Sequence, residues 1–198
     1  VTVDKAAHSL LAEVFELDTY TRQRTYKKEE GNLVRTIRKR IDGTRSFHIQ
    51  LGKKLTALDN RLFENWYTWK ETKLSNGKTS YIVGFVPLTE YEGTKFGKMS
   101  MKGYKLAESR GIYYITEVAP NVCRVTKIET FDLKLSFPNA LLESLAKGLL
   151  AEANKLQEKF RRNGKKVDKE IREVLVERMK QGIKLDEDQE KVFKDLEE

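Results

Sequence analysis

A chain of 198 residues with 39% hydrophobic and 34% charged residues can bury one real core, since chains of about 150 residues hide roughly 68–70% of their unfolded surface. Uninterrupted apolar runs fall far short of the roughly 20 residues that a membrane-spanning helix needs. The lone cysteine, Cys123, excludes an internal disulfide, and with no secretory pattern at the start of the sequence it fits a reducing compartment, the cytosol by default. Strand and helix patterns begin at the first residues, which fits a segment of a longer protein.

The net charge of +8 points first to polyanions, but its distribution divides the chain. From Lys165 onward there are 9 Lys/Arg against 11 Asp/Glu, which leaves 29 against 19 before it. A basic body of residues 1–164 and a slightly acidic helical extension of residues 165–198, docked or acting as a linker, therefore have different tasks.

VTVDKAAHSLLAEVFEL reads as a short strand and a helix, with Asp4 as N-cap and Ala7, Leu10, Leu11, Val14 and Phe15 on one stripe. The period then changes to two. Residues 32–43 and 45–55 alternate across Asp42-Gly43, a hairpin dipeptide. Further strand patterns cover 61–72, 79–88, 98–108, 111–119 and 121–135, separated by turn chemistry at Ser75-Asn76-Gly77, Glu92-Gly93 and Pro120-Asn121. Such close spacing leaves no room for crossover helices, so the sheet is expected to be antiparallel. Beyond Pro138 the period becomes helical from Asn139 to Asn163, with Leu141, Leu142, Leu145, Leu149, Ala153, Leu156 and Phe160 in one stripe and Gly164 as the C-cap. A tail helix from Lys166 to Gln181 and a short one from Asp186 complete the chain. The architecture expected is α+β: a curved antiparallel sheet of six to seven strands wrapped around a long C-terminal helix, the helix-grip arrangement.

The local text supports that arrangement. RLFENWYTWKE, the strand ending in VPL, and ITEVAPNVCRVTKIETFDLKLSFPNALLE leading into the long helix resemble the START domain, the steroidogenic-acute-regulatory-related lipid-transfer fold, over residues 1–163. The matching features are Arg61, Phe63, Trp69-Lys70 and Pro138. Two positions depart: Leu62 stands where family members carry an acidic residue, and Tyr67 where several sterol and phospholipid binders carry a cavity arginine. The resemblance implies hydrophobic ligand binding, often with the C-terminal helix as a gate and frequently in a module of a larger signalling or membrane-associated protein, and no catalysis is expected.

Strand alternation puts Phe63, Asn65, Tyr67 and Trp69 on one face and Leu62, Glu64, Trp66 and Thr68 on the other. The first set, with Tyr81, Val83 and Phe85 of the next strand and Leu145, Leu149 and Ala153 of the long helix, is the candidate lining of a cavity. Core filling fits the same aromatics, and buried Tyr67 and Asn65 would need polar partners in either case. Arg38 and Arg40, placed on one strand face, are the candidate anion or membrane surface, set against a plain solvated face. Nucleic acid is disfavoured, because zinc ligands, an aromatic RNA-binding consensus and a GxxG loop are all missing. His8 and His48 stand without partners at metal-ligand spacing, so neither metal nor cofactor is expected. Cys123 reads as a buried, inert thiol. An enzyme of this architecture would need acid and base groups in the cavity, for which Glu117, Glu129 and Arg124 are the strand candidates. The partners expected are thus a hydrophobic small molecule or lipid, an anionic membrane surface, or a protein that meets the tail.

Overall fold

The computed structural model describes residues 1–52, 60–75, 77–91, 104–134, 147 and 151–181. Strand β1 (Thr2–Val3) leads into helix α1 (Ala7–Phe15), whose buried residues are the predicted stripe Ala7, Leu10, Leu11, Val14 and Phe15. Asp4 is not its cap. The helix begins behind Ala6, which leaves Asp4 two residues ahead of the capping position. Its carboxylate accepts the backbone N–H of Arg162 at 2.9 Å instead. Helix α2 (Tyr20–Arg24) and a π-type turn (Thr25–Glu29) follow, in a stretch whose sequence stood out only for its charge.

The sheet contains β2 (Val34–Asp42), β3 (Arg45–Gly52), β4 (Asn60–Lys73), β5 (Thr79–Pro87), β6 (Tyr104–Ala119) and β7 (Val122–Asp132). With β1 it forms seven strands in the order β1-β7-β6-β5-β4-β3-β2, and neighbours in this order are antiparallel. One patch differs. The start of β6 runs parallel to the start of β4, from Asn60↔Tyr104 to Phe63↔Ala107. Strand β5 stops at Pro87, opposite Asn65, and proline has no N–H with which to extend a ladder. The edge of β4 left open there is taken by β6.

The runs expected at 98–108 and 111–119 are one strand where described, the 16-residue β6; residues 98–103 lie outside the described residues. Gly111 is no turn: a Cβ there would sit 2.5 Å from the Ile128 carbonyl oxygen and 2.7 Å from Phe85 Cζ, so glycine marks a close approach within the sheet. The Asp42-Gly43 hairpin forms as expected, with Asp42 Oδ1 accepting the Thr44 N–H and hydroxyl, each at 2.8 Å.

Two apolar clusters cover the two faces of the sheet. On the inner face, α1 packs with Tyr67, Val83, Phe85, Tyr113, Ile115 and Val125. On the other, Phe47, Ile49, Leu62 and Trp66 are buried, and Trp66 stacks on Tyr91 with centroids 4.0 Å apart. The Leu62/Trp66 side of β4 is therefore core too, which single-strand alternation did not reveal.

Helix α3, described over residues 151–159, lays Leu156 into the inner cluster and stops at Phe160. Gly164 does not cap it but opens α4 (Gly164–Gln181). The turn belongs to Asn163, whose Oδ1 accepts the Lys165 N–H at 3.1 Å and whose carbonyl accepts those of Lys166 and Val167. Val167 is buried with Ala119 and Val122, and the Glu170 carboxylate meets both the Asn121 N–H, at 2.6 Å, and Arg162. No described helix is long and apolar enough to cross a membrane.

Candidate functional site

Residues paired across antiparallel strands point to the same side of a sheet. Ser46 pairs with Tyr67, which pairs with Phe85, and His48 pairs with Asn65. The row crosses the inner face as a run of rings: His48 on Tyr67 with centroids 4.0 Å apart, Tyr67 on Phe85 at 4.9 Å, and Phe85 tilted against Tyr113 at 6.2 Å. Trp69 and Tyr81 stand half-buried to one side, edge to face at 6.2 Å, and the Trp69 indole donates to the Gly43 carbonyl at 2.8 Å. Phe63 stands to the other side against Phe131. The structure thus brings together Phe63, Asn65, Tyr67, Trp69, Tyr81 and Phe85. Ala153 is half-buried on α3, while Leu145 and Leu149 lie outside the described residues.

This face is more polar than a packed core requires. Asn65 donates to Ser109 Oγ at 2.7 Å, but its buried Oδ1 has no hydrogen-bond partner. His48 shares a hydrogen with Ser46 Oγ at 2.6 Å, and its Nδ1 is likewise unmatched. Burial, reinforced by Arg35 and Arg40, pulls the His48 imidazole down to about 3, so it is neutral at physiological pH. Arg35 donates to Gln50 Oε1 at 3.1 Å, and Gln50 donates to the Tyr67 hydroxyl at 3.4 Å. Burial holds the Tyr67 and Tyr113 phenols well above their ordinary range.

Charges gather where α3 meets the sheet. Lys127 of β7 forms ion pairs with Glu129 on its own strand and Glu152 on α3, and its ammonium lies 5.3 Å from the Tyr113 ring centroid. Burial pushes Glu129 up to about 7, in spite of Lys127. For Glu152 burial acts in the same direction but loses to Lys127, Arg35 and Arg22, and this carboxyl is held below its ordinary value. Sequence reading missed Ser46, His48, Gln50, Tyr113, Lys127 and Glu152. A signal was present for three of them: RSFHIQL alternates with Ser46, His48 and Gln50 on one side, a polar stripe facing the aromatics.

Two expectations change. Arg38 and Arg40 do not share a face, because the β2–β3 register slips between Ile37 and Lys39. That bulge turns Arg38 over the ring of Phe47 on the outer cluster, at 6.0 Å, while Arg40 pairs with Glu16 and Asp18. Of the acid and base candidates, Glu129 is interior. Glu117 pairs with buried Cys123 on the inner side, and Arg124 is exposed on the outer side. The Cys123 thiol is fully buried and pushed up to about 12 by that burial.

No protein-family model matches the chain, and no curated protein matches it in sequence. Solved structures do match in shape. The human StarD13 (DLC2) lipid transfer and protein localization domain aligns with a TM-score of 0.62 at 18% identity, over 82% of this chain and 75% of that one. Human STARD10 aligns at 0.55 and 18%, over 80% of this chain and 60% of its own, and human StAR-related lipid transfer protein 5 at 0.51 and 14%, over 80% and 73%. In fold the chain is a START-like, helix-grip α+β domain.

Proposed function

We propose that the chain is a non-catalytic START-like module that takes up a hydrophobic, lipid-like ligand between the inner face of the sheet and α3, within a larger intracellular protein. The observation that carries this reading is the pairing, on one face, of a continuous ring row with buried polar atoms that lack partners, namely His48 Nδ1 and Asn65 Oδ1. Buried polar groups are otherwise nearly always matched, and an amphipathic guest supplies apolar area and polar atoms together. The lipid transfer named for two of the similar structures agrees with it. The residues proposed to line the ligand are Phe63, Asn65, Tyr67, Trp69, Tyr81, Phe85, Leu145, Leu149 and Ala153. Native mass spectrometry of protein purified from a eukaryotic host tests the reading: a co-purified lipid, or uptake of one from a lipid mixture, is expected, and protein that stays empty in both cases overturns it.

A second reading has its own support. Leu175, Val176 and Met179 of α4 are exposed at 55%, 46% and 71%, and an apolar patch on a charged helix suits a protein partner. A partner captured by the chain and lost on deletion of residues 165–198 would favour a scaffold role.

A further inference from the structure

Helix α3 brings a carboxylate into a cationic corner, and the surrounding groups are not matched to it alone. Arg22 of α2, Arg35 of β2 and Lys127 of β7 all act on Glu152. Among the described residues, the other carboxylate paired with Lys127 is Glu129, itself pushed toward neutrality by burial. Arg22 and Arg35 each bury an Nε that makes no hydrogen bond. The Arg22 guanidinium reaches Glu13 only at 4.0 Å, and Glu13 also pairs with Lys159. Buried guanidinium groups normally take carboxylate or phosphate in paired hydrogen bonds. Here part of that donor capacity is idle, and the anion in place is carried by α3, an element separate from those that carry the three cations.

We infer that the corner formed by Arg22, Arg35 and Lys127 is a binding site for the anionic head, carboxylate or phosphate, of the ligand, and that Glu152 fills it when the ligand is absent. This rests on the lipid-binding reading above and adds a chemical class and a coupling to it. An arriving head displaces Glu152 from Lys127, which removes the ion pair between α3 and β7. Ligand uptake and the Glu152–Lys127 contact are then one competition between two anions.

The test compares four probes on the 198-residue chain: dodecanoate, dodecyl phosphate, uncharged dodecanol and inorganic phosphate, each titrated calorimetrically below its aggregation concentration. The anionic amphiphiles are expected to bind at least about tenfold more tightly than dodecanol, the scale of one hydrogen bond to a charged group. Arg35→Gln should abolish that preference. Glu152→Gln should strengthen anion binding by about tenfold without changing dodecanol binding, a gain that misfolding cannot imitate. Inorganic phosphate bound as tightly as dodecyl phosphate, with the same response to both variants, would support the site and make free phosphate its ligand. Equal binding of dodecanol and dodecanoate would overturn the anion site while leaving the lipid reading standing. Binding of none of the probes would overturn both.

Discussion

Gly111 and Glu129 are paired across β6 and β7, and each shows what a single position contributes. At Gly111 the neighbouring strand and the Phe85 ring come closer than any side chain permits, and the backbone there has an ordinary φ, so the requirement is steric. Gly111→Ala should cost about 1–3 kcal/mol by overpacking. Gly84, where nothing lies within 4 Å of an added Cβ, should accept alanine at no cost or gain up to about 1 kcal/mol; urea denaturation of the two variants checks both. Glu129 carries a pH signature. Its pKa is raised from 4.5 to about 7, so the native state holds this proton more tightly than the unfolded chain does. The resulting stabilisation is full below about 4.5 and is lost as pH rises through about 7. Relative to Glu129→Gln, the wild type should therefore lose stability between pH 5 and pH 8. A difference that stays flat across denaturation curves in that window would show Glu129 to be unperturbed. The sequence placed Gly111 at the start of a strand pattern and Glu129 among the acid and base candidates, but the close approach at the one and the burial of the other depend on neighbouring strands and on α3.

At the scale of elements, α4 is a helix whose charges face solvent and whose hold on the body is narrow. Val167 and the Glu170 contacts with Asn121 and Arg162 join it to the β6–β7 turn. A strongly charged helix of this length is marginal alone. Val167→Asp should therefore release it, and hydrogen exchange should show α4 amides losing protection while β4 and β5 keep theirs. Its periodicity was readable from Val167, Ile171 and Val174, and so were the hairpins at Asp42-Gly43 and Pro120-Asn121. The start was placed two residues late because glycine commonly closes a helix, whereas here Asn163 provides a side-chain acceptor that opens the next one. The β2 bulge was equally hidden: a slip in register is set by the partner strand, and alternation within one strand contains no record of it.

For the whole molecule, the inner cluster joins elements from both ends of the chain, with α1 against β5, β6 and β7 and Leu156 arriving from α3. Leu10 is fully buried in it. Leu10→Ala should cost about 2–5 kcal/mol and lower the denaturation midpoint without changing the slope, because α1 and the sheet unfold as one unit. A second transition would show that α1 detaches first. Legible from the sequence alone were the alternation of the sheet strands, the apolar stripe of α1, the hairpin pairing and the shared face of Phe63, Asn65, Tyr67 and Trp69, because each follows from spacing or turn chemistry within a few residues. The folded arrangement alone shows that β6 skips past the end of β5 to reach β4, that the far face of β4 is also buried, and that Arg22, Arg35 and Lys127 all act on Glu152. Those four charges come from α2, β2, β7 and α3, more than a hundred residues apart at the extremes. Electrostatic and packing relations between such distant segments exist only once the sheet has curved around the helix.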